Sequence, residues 1–369
     1  MTERMLIRDI IDTIEEFAPP ALQEEYDNTG LTVGDAGGEC TGVLLAVDVT
    51  PETVAEAIDE GCNLIVAHHP VIFRGLKRLT GATLVERTVI AAIRGGVAIY
   101  SCHTSVDNAP GGVSWQMARM LGLTDVEILD PKDGQVLKLV VFVPHDHCDK
   151  VKEAVFAAGA GRIGNYDSCC YESEGTGSYR PLDGAVPFAG TRGEVHREPE
   201  TRLEFVLPLW RRKAVEKALL AAHPYEEPAY EFLSPVGSAG ISGSGAAGIL
   251  ASPLDVDAFV ALVKRAFGTP VVRCSRFAPA VPISKVAVCG GSGAFLIGKA
   301  IAAGAQAIVT SDTKHHDFVD YGCSILIADI THHESENCTK DIFYHVIKEK
   351  FPIFAVRYSK QDINPINYL

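Results

Sequence analysis

The stretch NLIVAHHP at residues 63–70 is a short apolar and β-branched run that ends in two histidines. This run has the length and composition of a buried strand. The segment before it predicts a helix, because Thr50 suits an N-cap, Pro51 suits the first helical position and Gly61 suits the end. LLAVDV at 44–49 precedes that helix and predicts another strand. Strand, helix and strand in this order indicate a parallel sheet.

The same alternation continues along most of the chain. Residues 83–94 predict a helix that Gly95 and Gly96 stop, and VAIYSCHTSVD at 97–107 predicts the next strand. The last third predicts, in order, KVAVCGG (285–291), a helix ending at Gly304, AQAIVTSD (305–312), a short helix in HHDFVDYG (315–322), CSILIADI (323–330), a long helix from about 332 to 350, and PIFAVRY (352–358). We therefore predict an α/β fold of mostly parallel sheets with flanking helices.

The middle of the chain has a different pattern and predicts an inserted domain. Two successive β-α-β units are built from LKLVVFVP (137–144), a helix at about 147–158 and DSCCYES (167–173), then TRLEFVLP (201–208), a helix from 210 and PAYEFLSP (228–235). Two such units predict a ferredoxin-like α+β insert. The Gly-rich stretch 175–193 predicts a loop or hairpin, and 234–248 predicts a flexible link. We place the α/β lobe at 1–130 and 241–369, and the insert at 131–240.

Composition limits the classes of partner. The 369 residues include 33 Lys and Arg against 47 Asp and Glu, for a net charge of −14, which opposes broad nucleic-acid binding. No apolar stretch reaches membrane-spanning length, and the N-terminal segment 1–19 predicts an acidic amphipathic helix rather than a signal peptide. The ten cysteines lack CxxC spacing, which fits a reducing compartment. We expect a cytoplasmic protein that acts on a small molecule.

Metal-ligand side chains follow three of the predicted strands. His68 and His69 end the first, Asp107 follows the second, and His332 and Glu336 lie four residues apart at the helix start after the third. Since the carboxyl ends of parallel strands share one edge of a sheet, we expect these side chains to meet. Three imidazoles and two carboxylates exceed the needs of one tetrahedral zinc with an open position. They suit two divalent ions, zinc before iron or manganese, bridged by a carboxylate and a water.

Each ligand assignment has a structural alternative. The His68-His69 pair could serve packing alone, and Asp107 could be a turn residue before NAPG. Thr331 and Glu334 match a capping box, which predicts a structural role for Glu334 and leaves Glu336 to the metal.

Other polar residues near the strand ends are candidates for moving protons or holding phosphate. His103 could bind a metal directly or hold a metal ligand in place through a hydrogen bond. His315 or His316 could act as a general acid or base, or could simply be the first residues of a surface helix. The turn Gly290–Gly293 could hold a phosphate or serve only as a tight turn.

Several motifs resemble a known family. HHPVIFRGLK (68–77), HTSVDNAPGG (103–112) and DITHHESE (329–336) are similar to the dinuclear-metal toroid family of the NGG-interacting-factor (Nif3-like) type, often called GTP cyclohydrolase I type 2 homologues. The likeness covers nearly the whole chain. GAGRIGNYDSCCYESEGTGSYRP (159–181) and HPYEEPAYE (223–231) resemble the PII/CutA-like domain of longer members. The resemblance implies homohexameric rings with two metals in each protomer.

The resemblance also places the family's ligand pattern on the residues that spacing already selects, namely His68, His69, Asp107, His332 and Glu336. We predict a metal-dependent hydrolase in which a metal-bridging hydroxide attacks carbon or phosphorus, with His103 or His315 moving protons. The substrate class would be a small molecule such as a nucleotide, and the family label implies GTP. The alternative is a non-enzymatic metal-binding or regulatory assembly protein whose insert senses a ligand.

Overall fold

A computed structural model describes residues 4–235, 240–276 and 281–369 as a mixed α/β protein. It divides into two compact units, one comprising the chain up to Pro131 together with Ser242–Leu369, the other Lys132–Ile241. The N-terminal helix α1 spans Ile7–Phe17, and residues 1–3 of the predicted amphipathic segment lie outside the described residues. None of the helices in the described ranges is long and apolar enough to cross a membrane.

The first sheet of unit 1 has the strand order β1-β4-β3-β2-β15. Its strands are β1 (Gly30–Val33), β2 (Val43–Ala46), β3 (Leu64–Ala67), β4 (Ala98–Ser101) and β15 (Val356–Tyr358). All neighbours are parallel except β1 and β4. β2, β3 and β4 are buried along their whole length, as strands covered on both faces must be.

Helices join these strands as the sequence predicts. α2 (Pro51–Asp59) begins after Thr50, whose hydroxyl accepts from the Thr53 amide, and α3 (Leu84–Gly95) ends at Gly96 in the left-handed region. Two short helices follow β4, α4 (Thr104–Asn108) and α5 (Val113–Met120).

The second sheet of unit 1 has the order β11-β14-β13-β12-β10-β5. Its strands are β5 (Leu123–Pro131), β10 (Gly243–Leu254), β11 (Arg273–Cys274), β12 (Ile283–Ser292), β13 (Ala307–Ser311) and β14 (Leu326–Asp329). β12, β13 and β14 are parallel, and the outer pairings are antiparallel. The accompanying helices are α8 (Val256–Phe267), α9 (Ile297–Ala302), α10 (His315–Tyr321), α11 (His332–Glu336) and α12 (Thr339–Lys350).

Both sheets of unit 1 use strands from both ends of the chain. β5 comes from the first third but lies at an edge of the second sheet, whereas β15 comes from the C-terminal segment and pairs with β2. The sequence predicted β15 only as the last member of the C-terminal series. This exchange of strands makes the two chain segments one folding unit around the inserted residues.

Several predictions about local structure are wrong. The strand predicted at 97–107 ends at Ser101, and Thr104–Asn108 form α4 instead. The Gly-rich segment 234–248 is not a link throughout, because β10 begins at Gly243 and pairs on both sides, although residues 236–239 of that segment lie outside the described residues. The long helix predicted from about 332 to 350 is two helices, α11 and α12, separated by a turn at Asn337 and Cys338.

Unit 2 is a ferredoxin-like domain, with the antiparallel strand order β7-β8-β6-β9. Its elements are β6 (Val136–Pro144), α6 (Cys148–Ala157), β7 (Tyr171–Tyr179), β8 (His196–Pro208), α7 (Arg212–Ala222) and β9 (Tyr230–Leu233). Apolar residues of β6 and β8 such as Leu139 and Phe205 form a buried core with both helices. The predicted loop at 175–193 is shorter than expected, because β7 continues through Gly177 to Tyr179.

Candidate metal centre

The end of β3 fixes the two adjacent histidines. The His68 and His69 amides donate to Ala46 and Val47 carbonyls, so pairing with the neighbouring strand continues past Ala67. The His68 ring is completely buried, and the His69 side chain is 22% exposed. Since Pro70 restricts the preceding backbone, the chain turns here and both rings reach the same region.

The short helix α11 brings His332 and Glu336 together. Their four-residue spacing places them on one face, with His332 Nε2 2.9 Å from Glu336 Oε2. The Ser335 hydroxyl accepts from the Gly291 amide and donates to the His332 carbonyl, which ties the helix to the end of β12.

Glu336 lies at the centre of the cluster. Its Oε1 is 3.5 Å from His68 Nε2, and its Oε2 is 3.0 Å from His69 Nε2. His69 and His332 meet at the same side, with their Nε2 atoms 3.3 Å apart. Asp107 on α4 approaches from the other side, with Oδ1 3.8 Å from His68 Nε2. The structure thus brings all five predicted ligands together, at the carboxyl ends of strands from two sheets rather than one.

A further carboxylate supports each of three imidazoles. Asp48 lies 2.9 Å from His69 Nδ1, Asp312 lies 2.7 Å from His332 Nδ1, and Asp27 lies 2.7 Å from His103 Nδ1. Such pairs fix the ring orientation and the tautomer, and they leave Nε2 available to a metal.

Sequence reasoning missed these three supporting residues. Asp48 and Asp312 each follow a strand, so the same strand-end rule that selected Asp107 could have found them. Asp27 lies in a loop 76 residues from His103 in sequence, and no local signal connects the two.

The two predicted proton-moving histidines have different positions. One ring nitrogen of His103 lies within 4.8 Å of ring nitrogens of His68 and His69, so His103 can either bind a metal or serve the reaction beside it. His315 is exposed at the start of α10, and its ring contacts that of His316. No hydrogen bond or ion pair of the described residues connects His315 to the cluster around Glu336.

The register of the THHESE motif follows from the side-chain contacts. His333 turns away from Glu336 towards Asp48 and Asp362. The capping-box prediction for Thr331 and Glu334 is wrong, because Thr331 makes no side-chain cap and Glu334 accepts instead from Asn364 Nδ2 at 2.8 Å.

Burial and the neighbouring carboxylates set the protonation states of the three histidines. Complete burial lowers the pKa of His68. Burial opposes protonation of His69 too, but hydrogen bonds to Asp48 and Glu336 raise its pKa to about 10. The hydrogen bond to Glu336, against partial burial, raises the pKa of His332 to about 9.

The pKa values of the two central carboxylates are shifted in opposite directions. Burial and the neighbouring Glu336 charge raise the pKa of Asp107 well above its usual value. Burial also disfavours ionisation of Glu336, but the imidazoles of His68, His332 and His69 outweigh it and hold the pKa well below the usual value.

The donor set fits divalent cations. Both ring nitrogens of His68, together with Asp107 Oδ1, are buried and make no hydrogen bond. Buried polar atoms without partners are costly, and a bound cation would satisfy them. Among the described residues no ion pair brings Lys or Arg to Asp107 or Glu336, so the positive charge that balances these carboxylates comes from imidazoles or from a bound cation.

Gly291 makes room for the central carboxylate. Its φ is +60°, and a Cβ there would lie 2.3 Å from Glu336 Oε1. The amides of Gly291 and Gly293 donate to the hydroxyls of Ser335 and Thr310. The Gly290–Gly293 segment therefore packs against the metal ligands, and these two amides are already occupied.

Fold and site together define an α/β protein with a partly buried histidine–carboxylate cluster that can hold metal ions. The family model Duf34/NIF3 (NGG1p interacting factor 3) matches residues 5–365. The chain belongs to this family.

Relatives and solved structures agree with this assignment. A protein of Halalkalibacterium halodurans called GTP cyclohydrolase 1 type 2 homolog is 40% identical over 309 residues, covering 83% of this chain and 82% of its own. A Bacillus subtilis protein of the same name is 35% identical and covers 98% of both chains. The crystal structure of a Bacillus cereus protein related to NIF3 superposes with a TM-score of 0.86 at 33% identity, over 100% of both chains.

Proposed function

We propose that unit 1 binds two divalent metal ions and uses them to hydrolyse a small phosphorylated molecule. The observation that carries this proposal is the position of Glu336. One carboxylate oxygen faces His68, and the other faces His69 and His332, so the two oxygens serve two separate groups of donors. Asp107 adds a second carboxylate beside His68.

The residues divide between two ions. His68 and Asp107 would hold one, His69 and His332 the other, and Glu336 would be shared between them. When bound, such a pair of ions lowers the pKa of a water to near neutrality and supplies Lewis acidity for hydrolysis. Nitrogen and oxygen donors without thiolate suit zinc, with iron or manganese as alternatives.

His103 is the candidate proton carrier of the site. Asp27 holds its Nδ1, while its ring lies 5.2 Å from His68 and 5.3 Å from His69 between centroids. The His103 side chain is 14% exposed, so it can exchange protons with a substrate at the opening. A fixed ring beside the metal ligands is the arrangement that general acid or base catalysis requires.

The loop after the first ligands supports an anionic substrate. Residues 71–83 contain Arg74, Lys77 and Arg78 and no acidic residue, although the whole chain has a charge of −14. All three cations are exposed, and the Phe73 ring lies 5.8 Å from the His103 ring. A basic and aromatic rim beside a metal site would attract a phosphorylated compound with a planar ring.

The test combines metal content with a hydrolysis panel. Protein purified without chelator or added metal is analysed for metal. A nucleotide panel is then assayed, beginning with GTP because it appears in the name of the relatives. We expect two ions per chain, and turnover that is lost on chelation and in Asp107→Asn. Lys299→Gln, an exposed change on α9, is the matched control. One ion or fewer in well-loaded protein would contradict the dinuclear site, and full metal content without turnover would favour the regulatory alternative.

A further inference from the structure

Unit 2 contains a cavity that the proposed hydrolytic function does not use. It has a volume of about 630 Å³ and lies between strands β7 and β8, the loop that connects them and the segment after α7. This volume is within the range of ordinary small-molecule sites. We refer to it below as the insert cavity.

One wall of the insert cavity is aromatic. The Tyr225 ring lies 5.9 Å from the Tyr179 ring and 5.8 Å from the Phe188 ring, measured between centroids. Phe188 lines the cavity, and its side chain is nevertheless 48% exposed. Grouped aromatic faces of this kind bind planar or apolar groups and attract cations through the ring quadrupole.

Carboxylates outnumber cations among the charged residues of the lining. Glu174, Glu200, Glu226 and Glu227 line the cavity, against a single guanidinium from Arg202. Arg202 is already paired with Glu204 at 2.8 Å. The lining is therefore negative, which disfavours phosphates and carboxylates and favours a cation.

Glu200 is the residue that gives the cavity a specific acceptor. It is 8% exposed, and its Oε1 accepts from the Tyr225 hydroxyl at 2.8 Å. Its Oε2 lies over Gly177, where a Cβ would come within 2.2 Å. None of the ion pairs formed by the described residues joins Glu200 to Lys or Arg, and buried carboxylates normally have a cationic partner.

We propose that the insert cavity binds a small organic ammonium ion. The charged nitrogen donates a hydrogen bond to Glu200, and the apolar or aromatic body of the amine lies against Tyr179, Phe188 and Tyr225. Gly177 keeps the space that the carboxylate needs. All lining residues of the insert cavity belong to unit 2, whereas the proposed metal ligands belong to unit 1.

Three probes of one shape test this proposal on the full-length, metal-loaded protein. Benzylamine, benzyl alcohol and benzoate differ mainly in charge, and saturation-transfer NMR reports the binding of each. We expect benzylamine to bind and the other two to bind at least about tenfold more weakly, as a lost charged hydrogen bond implies. Equal signals from benzoate or benzyl alcohol would overturn the proposal.

Variants locate the binding. Glu200→Gln keeps an acceptor for Tyr225 but removes the charge, and it should weaken benzylamine binding about tenfold or more. Phe188→Ala removes an exposed wall residue with little risk to the core and should weaken benzylamine binding as well. Glu153→Gln, exposed on α6 and absent from the lining, should leave it unchanged.

Circular dichroism and the melting temperature establish that each variant is folded. Binding that persists in folded Glu200→Gln and Phe188→Ala would overturn the proposal. Binding that chelation removes from every variant would also overturn it, because the amine would then be a ligand of the metal centre.

Discussion

Glu336 is the residue on which the candidate metal centre depends most. We predict that Glu336→Gln loses most of the bound metal, because the change removes a carboxylate that contacts His68, His69 and His332 together. The expected loss exceeds the ~10–100-fold typical of changes to supporting residues behind metal ligands. Metal analysis after dialysis against a weak chelator measures it.

Glu334→Gln is the matched control for that change. Glu334 lies two residues away on the same helix, but its carboxylate accepts from Asn364. It should retain metal and alter only the attachment of the C-terminal segment. Metal loss in Glu334→Gln but not in Glu336→Gln would mean that the ligand register is shifted along α11.

Metal binding should release protons. In the metal-free protein the pKa of His69 is about 10 and that of His332 about 9, so both are protonated near neutral pH and must lose a proton to bind a cation. Metal affinity should therefore rise with pH until both histidines are deprotonated, at about pH 10. Calorimetry in buffers of different ionisation enthalpy measures the protons released.

The stability of the metal-free protein has the opposite dependence on pH. A histidine whose pKa is higher in the folded than in the unfolded protein stabilises the folded state. This contribution is complete below the unfolded-state pKa of about 6.5, and it is lost as the pH rises through the folded-state pKa values of about 9 and 10. Asp48→Asn removes one hydrogen bond that raises the pKa of His69, so it should flatten both dependences. An affinity that is independent of pH in the wild type would contradict the assigned protonation states.

Among the secondary-structure elements, the end of β12 leaves space for Glu336, the proposed metal ligand on α11. We predict that Gly291→Ala weakens metal binding, because its Cβ would lie 2.3 Å from Glu336 Oε1 and displace the carboxylate. The substitution also places alanine in the left-handed region, at a cost of about 1–2 kcal/mol. Metal competition assays and thermal melts separate the two effects.

Gly61→Ala is a control for backbone strain alone. Gly61 has φ +72°, but no atom lies within 4 Å of the position its Cβ would take. Both variants should lose similar stability, and only Gly291→Ala should lose metal affinity. Equal metal affinity in the two would show that Glu336 can move aside without consequence.

Elements also explain which predictions succeeded. The strands that end shortly before His68 and His332 are short runs of buried, mostly apolar residues, so composition alone located them and the ligands after them. β10 could not be found this way, because it contains Gly243, Gly245 and Gly248 and resembles a linker. A Cβ at Gly243 would meet the Asp130 carbonyl at 2.2 Å, so close strand packing selects glycine there.

Supporting contacts between distant segments were the least predictable part of the site. Asp27 and His103 meet through tertiary structure alone, and the break between α11 and α12 has no Gly or Pro in the sequence to mark it. The contact of Ser335 with Gly291 holds α11 against β12. Periodicity describes single elements, whereas these features depend on the packing of several.

In the chain as a whole, unit 2 is inserted between two residues that pair with each other in the second sheet of unit 1. β5 ends at Pro131 and β10 begins at Gly243, and these two residues are direct partners in the antiparallel ladder. Removing the residues between them leaves two neighbouring strand ends that a short turn can join into a hairpin. The fold of unit 1 therefore does not need unit 2 to connect its strands.

We predict that deleting Lys132–Ile241 and joining the ends through a short Asn-Gly turn leaves the metal content per chain unchanged. All five proposed ligands, as well as Asp27, Asp48 and Asp312, lie in unit 1. The comparison is between the deletion variant and the full chain, by metal analysis and circular dichroism. The same deletion should abolish benzylamine binding, since the insert cavity would be gone. A folded deletion variant that has lost its metal would show that unit 2 contributes to the centre, because no ligand in unit 1 would have been removed.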